Sequence, residues 1–273
     1  METAVRPPAV AGMFYPGTAA GLERQLASLM VPDPEPHPCV GCVAPHAGYV
    51  YSGPVAGRLY GHVELPRRVV VLGPNHTGQG APVSVAPEAA WATPLGEVPV
   101  DAGLRERLVE ALPGAAAEPW AHRREHSIEV QLPFLLARRP DLAVVPICLA
   151  HLSLEDCLAL GEALGRELAS LDEPAAVVAS SDMSHYEPDP VARQRDRLAI
   201  EAALTGDPGE LYETVHRHRI SMCGIIPATV MLAAARILGG GTPHLVDYMT
   251  SGDTSGDRSA VVGYAGICVP RGA

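Results

Sequence analysis

The sequence predicts an α/β fold: one domain over residues 1–273, with a central, mostly parallel or mixed sheet and helices on both faces. Three observations lead there. Short apolar runs of strand length, at residues 69–72, 142–149 and 175–179, alternate with stretches whose leucines recur at helical spacing. Several of these runs stop at Gly, Pro or small polar residues and are followed by a histidine. No internal repeat, coiled coil or clear linker divides the chain.

Composition narrows the function classes. The 273 residues are ample for a substantial core, and 47% of them are hydrophobic. A net charge of −11 argues against wrapping nucleic acid or lying on an anionic membrane, because phosphate contacts need a basic face. No apolar run reaches the roughly 20 residues of a membrane span. The opening METAVRPPAV lacks the charged and apolar regions of a signal peptide. Six scattered cysteines are no disulfide scaffold, so a cytoplasmic protein with reduced thiols is expected.

Residues 1–17 read as an extended arm ending in a turn at Pro16-Gly17. Thr18 caps a helix carrying Leu22, Leu26 and Leu29, and the proline-rich 31–38 is a connector. The first strand starts at Cys39; Cys39 and Cys42 form a lone Cys-x-x-Cys inside an apolar run, read as two small buried side chains. His46 follows, then Tyr49 and Tyr51 at the mouth of a site, and a short helix at 54–60. The run 69–72 is a strand stopped by Gly73-Pro74, with Asn75-His76 beyond it. Short strands at 82–85 and 90–93 precede a helix capped by Asp101.

The polar run 120–127 leads to Glu125, His126 and Glu129 within about one helical turn. It reads equally as a cleft lining or as an exposed helix start. After the strand at 142–149, His151 reads as a surface or capping residue, and Ser153 with Asp156 starts a helix running to Leu171. Asp189-Pro190 and Asp207-Pro208 read as helix caps followed by proline, and residues 216–219 as a solvated basic helix end. Cys223 opens an apolar helix at 225–238; a thiolate there is favoured by the helix dipole, although the helix alone favours an inert buried cysteine. Strands at 245–249 and 260–269 flank the polar, Gly-rich loop TSGDTSGDRS.

The chemistry gathers at strand ends. In open α/β sheets, ligands bind beyond the carboxyl ends of the strands. His46, His76 and the pair Asp182/His185 each follow an apolar run, so the imidazoles converge on one cleft. Asp182 is placed to orient His185 as an acid/base. Two imidazoles and one further ligand suit a redox-active iron or copper, or a hydrolytic zinc.

The stretches APHAGYVYSG, LGPNHTG, EHSIEVQLPFL, ASSDMSHY and MCGIIP, in this order, resemble the Memo family, whose bacterial and archaeal members are called AmmeMemoRadiSam system protein B. The likeness runs from AGMFYPG to VVGYAGI. It implies a fold like that of class III extradiol dioxygenases and a metal site formed by His46, His76 and Cys223, with Asp182, His185 and His126 lining the same cleft. It also raises Cys223 from inert core to ligand. Two departures matter. A thiol replaces the carboxylate of those dioxygenases, which favours Cu(I) or iron and points away from ring cleavage. Ile225 and Ile226 stand where animal members carry polar residues, so their phosphopeptide binding is not carried over.

Three functions compete. The first is an iron- or copper-dependent, dioxygenase-like oxidoreductase acting on a small-molecule substrate. The second is a metal- or partner-binding protein that works without turnover, alongside the radical-SAM enzyme and the AMMECR-type protein that the family name implies. The third is a zinc hydrolase with His185 as base.

Overall fold

The computed structural model describes residues 4–272. Four parallel strands form the centre, in the order His37–Ala44, Ala175–Ser180, Arg68–Pro74, Ala143–Leu149. Antiparallel strands finish both sides. Val261–Pro270 pairs with His37–Ala44 and in turn carries His244–Thr250 and His185–Glu187. On the far side Val83–Val85 runs against Ala143–Leu149, and Ala115–Ala117 closes the edge. A separate three-stranded sheet joins Val5–Arg6 to Ala90–Thr93 and Gly96–Pro99. The mixed α/β architecture read from the sequence is therefore present, parallel at its centre and antiparallel at its margins.

Side chains alternate across the sheet as the two-residue strand period requires. Val70 and Leu72 point to one hydrophobic cluster, Val69 and Val71 to the other. The first cluster is covered by Ala102–Ala111, Leu154–Ala169, Asp189–Leu204, Pro208–Arg217 and Ile225–Ile237. The second is covered by Ala19–Leu29, Tyr49–His62 and Leu132–Arg138. Because both faces are buried, the central strands have no polar side to show, which is why they read as continuous apolar runs. Cys39 and Cys42 lie buried in the second cluster, as expected.

The caps follow side-chain chemistry. Thr18, Asp101, Ser153 and Asp207 each accept a hydrogen bond from a first-turn amide. Asp189 is different. The helix begins at Asp189 itself, with Pro188 in the cap position, and the Asp189 carboxylate instead takes Arg193, Arg258 and the Thr250 hydroxyl. Two further expectations change. The helix expected at Pro54 starts at Tyr49, because Pro54 removes only its own N–H from the ladder, opposite the exposed Val50. Tyr49 is thereby turned inward, and its hydroxyl donates to the Val130 carbonyl at 2.6 Å rather than lining a site. The first half of TSGDTSGDRS forms a one-turn helix, Ser251–Ser255, closed by a reciprocal Thr250/Asp253 capping box.

The N-terminal arm is tied to the body by one carboxylate. Glu129, fully buried, takes the Arg6 guanidinium at 2.6 Å, the backbone amides of Ala9 and Val10, and the Tyr15 hydroxyl. Among the described residues, no helix is long and apolar enough to cross a membrane.

Candidate metal centre

His46, His76 and Cys223 come together at the carboxyl ends of the central strands, their ligand atoms all within 4.8 Å of one another. His46 follows the strand His37–Ala44 and His76 follows Arg68–Pro74; Ala175–Ser180, which lies between these two strands, delivers Asp182. Cys223 arrives from the opposite direction, just before the helix Ile225–Ile237. Gly224 makes that approach feasible: a β-carbon there would sit 2.3 Å from the Ser180 carbonyl oxygen. Its amide donates to the Ser181 hydroxyl.

The hydrogen bonds determine which nitrogen each imidazole presents. The Ser180 hydroxyl gives its only proton to the Ser127 carbonyl, at 2.6 Å, and accepts from the Gln131 side-chain amide at 2.8 Å. The His46 Nδ1 at 2.9 Å must therefore donate to it. His46 is left with an unprotonated Nε2, which faces the Cys223 sulfur at 3.2 Å. Burial, reinforced by His126 and His76 nearby, keeps this imidazole neutral, well below the usual histidine range.

His76 is set the same way by Glu125. That carboxylate is wholly buried and accepts from the His76 ring at 2.9 Å, the His76 amide at 2.8 Å, and the amides of His126 and Ser127. Burial acts to raise the Glu125 pKa, but the His76 bond and these amides outweigh it and hold it at about 2. Burial likewise acts to lower His76, and the Glu125 hydrogen bond and charge outweigh it, lifting His76 above its ordinary value. A carboxylate behind an imidazole is the outer support that metal-ligating histidines carry. The open choice for 120–127 is thus resolved: Glu125 holds His76 from behind, and His126 lies in the cleft. The His126 ring stacks on His76 at 4.9 Å, crosses His46 at 5.5 Å, and touches Phe14 at 4.8 Å.

Two expectations are corrected. Asp182 does not orient His185. Its carboxylate accepts the His46 amide at 2.7 Å, while His185 donates Nδ1–H to the Ser221 carbonyl at 2.9 Å and its amide to the Ser221 hydroxyl. The stretch before Cys223 therefore fixes the His185 tautomer. Nor does the helix dipole favour a Cys223 thiolate. Cys223 precedes the Gly224 cap, and burial together with the Asp182 charge pushes the thiol up. Asp182 is itself raised to about 6, by burial against the amide bond from His46.

Sequence reading missed Ser180, Gln131, Ser127 and Ser221. For Ser127, Gln131 and Ser180 the available signal was a polar side chain beside an apolar run, since such groups are retained in a core only when they have partners; the exposed Ser221 carried no such signal.

The fold and this cluster define a class first: an open α/β sheet protein whose strand ends gather imidazoles and one thiol. Residues 6–268 match the family model described as Memo-like protein, so the chain belongs to the Memo family. It is 44% identical to a MEMO1 family protein of Aquifex aeolicus, covering 96% of this chain and 98% of that one. It is 41% identical to a MEMO1 family protein of Methanopyrus kandleri, covering 98% and 99%. In structure it is similar to an uncharacterized protein of Escherichia coli K12, with a TM-score of 0.53 and 16% identity over 84% of this chain and 98% of that one, a likeness of fold.

Proposed function

We propose that this chain is an iron- or copper-dependent oxidoreductase of the Memo family, acting on a small molecule, with His46, His76 and Cys223 as ligands. One observation carries the reading. Both histidines have their Nδ1–H committed to outer partners, so two imidazole lone pairs and one sulfur are left to converge. Two nitrogens and a thiolate fit a soft or borderline redox metal better than calcium or magnesium, which take oxygen. A bound ion would supply one-electron redox chemistry at that point.

The chain's own residues do the rest. Loading the site needs the Cys223 proton removed, and His185, with Nδ1–H held by the Ser221 carbonyl, presents its Nε2 as an acceptor. A cavity of about 150 Å³ bounded by Asn75, His151, Cys223, Ile225 and Ile226 adjoins the sulfur and offers room for a small substrate. A second reading, metal or partner binding without turnover, draws support from Tyr186, which is 79% exposed directly beside His185 and offers an aromatic contact for a radical-SAM or AMMECR-type partner.

The test is metal content of protein purified without oxygen, with O₂ uptake measured on candidate substrates. About one iron or copper per chain, lost in Cys223→Ser, supports the site; metal retained in Cys223→Ser and in His76→Ala overturns it. His185→Ala should keep the metal and lose turnover. A wild type that holds metal and shows no turnover with any substrate class would favour the binding reading.

A further inference from the structure

A second group of ligating side chains lies at the opposite end of the sheet, and the centre described above does not use it. The ligand atoms of His62, His244 and Cys268 lie within 4.8 Å of one another, and those of Asp33, His37 and His62 form an overlapping group. Along the strand His37–Ala44, His37 lies nine residues before His46, and Cys268, paired with Cys42, lies at a level four residues before it.

The fold brings these groups together from three strands, one helix and a connector. His244 and Cys268 are direct cross-strand partners, so their side chains share one face of the sheet. His62 ends the helix Tyr49–His62. The connector after the first helix crosses that helix along a row of glycines: β-carbons at Gly57 and Gly61 would lie 2.3 and 2.1 Å from the carbonyl oxygens of Leu29 and Val31. This close crossing sets Asp33 beside His62. His37 starts its strand opposite Val63, and its ring lies 4.4 Å from that of His62.

Protons are accounted for here too. The Asp33 carboxylate lies 3.0 Å from His62 Nδ1, so His62 donates there and turns Nε2 toward His244. The two Nε2 atoms face each other at 2.8 Å, and the Cys268 sulfur lies within 4.8 Å of a ring nitrogen of each histidine. Two imidazole nitrogens that close need either a hydrogen bond, with His244 donating Nε2–H to the His62 lone pair, or a cation between them. A carboxylate behind one imidazole and a sulfur close to both is a ligand arrangement, more than an imidazole pair needs. Tetrahedral zinc sets its nitrogens about 3.3 Å apart and nitrogen and sulfur about 3.5 Å apart, so side-chain shifts of roughly an ångström would close the set. A groove of about 390 Å³ past Asp33 and Arg58 opens the cluster to solvent at His62.

We propose that His62, His244 and Cys268 form a second metal site, for Zn(II) or another borderline-to-soft ion, with Asp33 orienting His62 and His37 at its mouth. This site is independent of the reading given to His46, His76 and Cys223.

The experiment uses the full chain in a His46→Ala/Cys223→Ser background, which disables the first centre whatever its role. Metal-free protein is titrated with Co(II) without oxygen, and then with Zn(II). The expected result is one Co(II) per chain with thiolate-to-cobalt absorption, displaced by Zn(II), and a Tm raised by Zn(II). Adding His244→Ala should abolish the absorption, and Asp33→Asn should weaken binding about 10–100-fold. His244→Gln repeats the test if the alanine variant does not fold. No thiolate absorption in the background protein, absorption that survives both His244 substitutions, or an unchanged Tm with Zn(II) overturns the site and leaves a proton-sharing histidine pair.

Discussion

The Ser180 hydroxyl has a single proton and two lone pairs, and the tautomer of His46 follows from how they are used. Replacing Ser180 with Ala removes the acceptor for His46 Nδ1–H and lets the ring change tautomer or turn. We expect Ser180→Ala to keep the fold and to weaken metal binding about 10–100-fold, read by competition with a chelator. Glu125→Gln should do the same through His76, with a larger loss of stability. It replaces a buried ionised group serving four donors, so its melting temperature should fall further than that of Ser180→Ala. At this scale the sequence was partly legible. His46 and His76 stood out because each follows an apolar run and a Pro. The serine beneath His46 and the Ser221 carbonyl that holds His185 did not, because a hydrogen bond between residues distant in the chain leaves no local pattern.

Among the elements, the joint between the end of Ala175–Ser180 and the start of Ile225–Ile237 has the least room. A methyl at Gly224 would strike backbone at the Ser180 carbonyl, where no flexible side chain can yield. Gly224→Ala should therefore cost roughly 1–3 kcal/mol by overpacking. It should also displace Cys223, so metal content should fall in chains that still show native circular dichroism. The arm makes a different prediction. Breaking the buried Arg6–Glu129 pair leaves a charge without a partner, at about 3–5 kcal/mol. Glu129→Ala should lower the urea midpoint and make residues before Tyr15 the first point of proteolysis. Helix and strand existence was readable from period and caps. The antiparallel margins were not, since Ala115–Ala117 and His185–Glu187 are too short to show a pattern and exist only because a neighbour offers an edge.

For the molecule as a whole, acid sensitivity has an identifiable source. Burial, with the Arg6 charge adding to it, depresses the His122 pKa to about 4 from an ordinary value near 6.5. Between those values the unfolded chain binds a proton there and the folded chain does not, so stability falls as pH drops from about 6.5 to 4 and is then level for this group. The contribution is about 3 kcal/mol. His122→Gln should flatten that part of the stability curve relative to wild type in chemical denaturation at pH 7, 5.5 and 4.5. The whole-chain architecture was legible because parallel strands buried on both faces announce themselves as apolar runs. Their lateral order was not, because nothing local records which strand lies beside which.

That order has a consequence for how the protein is made. Ala175–Ser180 sits between His37–Ala44 and Arg68–Pro74, although it leaves the ribosome more than a hundred residues after both begin. A nascent chain ending before it carries His46 and His76 on strands that native pairing holds two spacings apart, roughly 10 Å, with nothing between them. The sheet centre can close only when the late strand inserts, and the thiol follows more than forty residues later still. Synthesis therefore brings His46, His76 and Cys223 together only in a chain that is largely complete, and a truncated product would be left with an open seam between the strands that carry the two histidines.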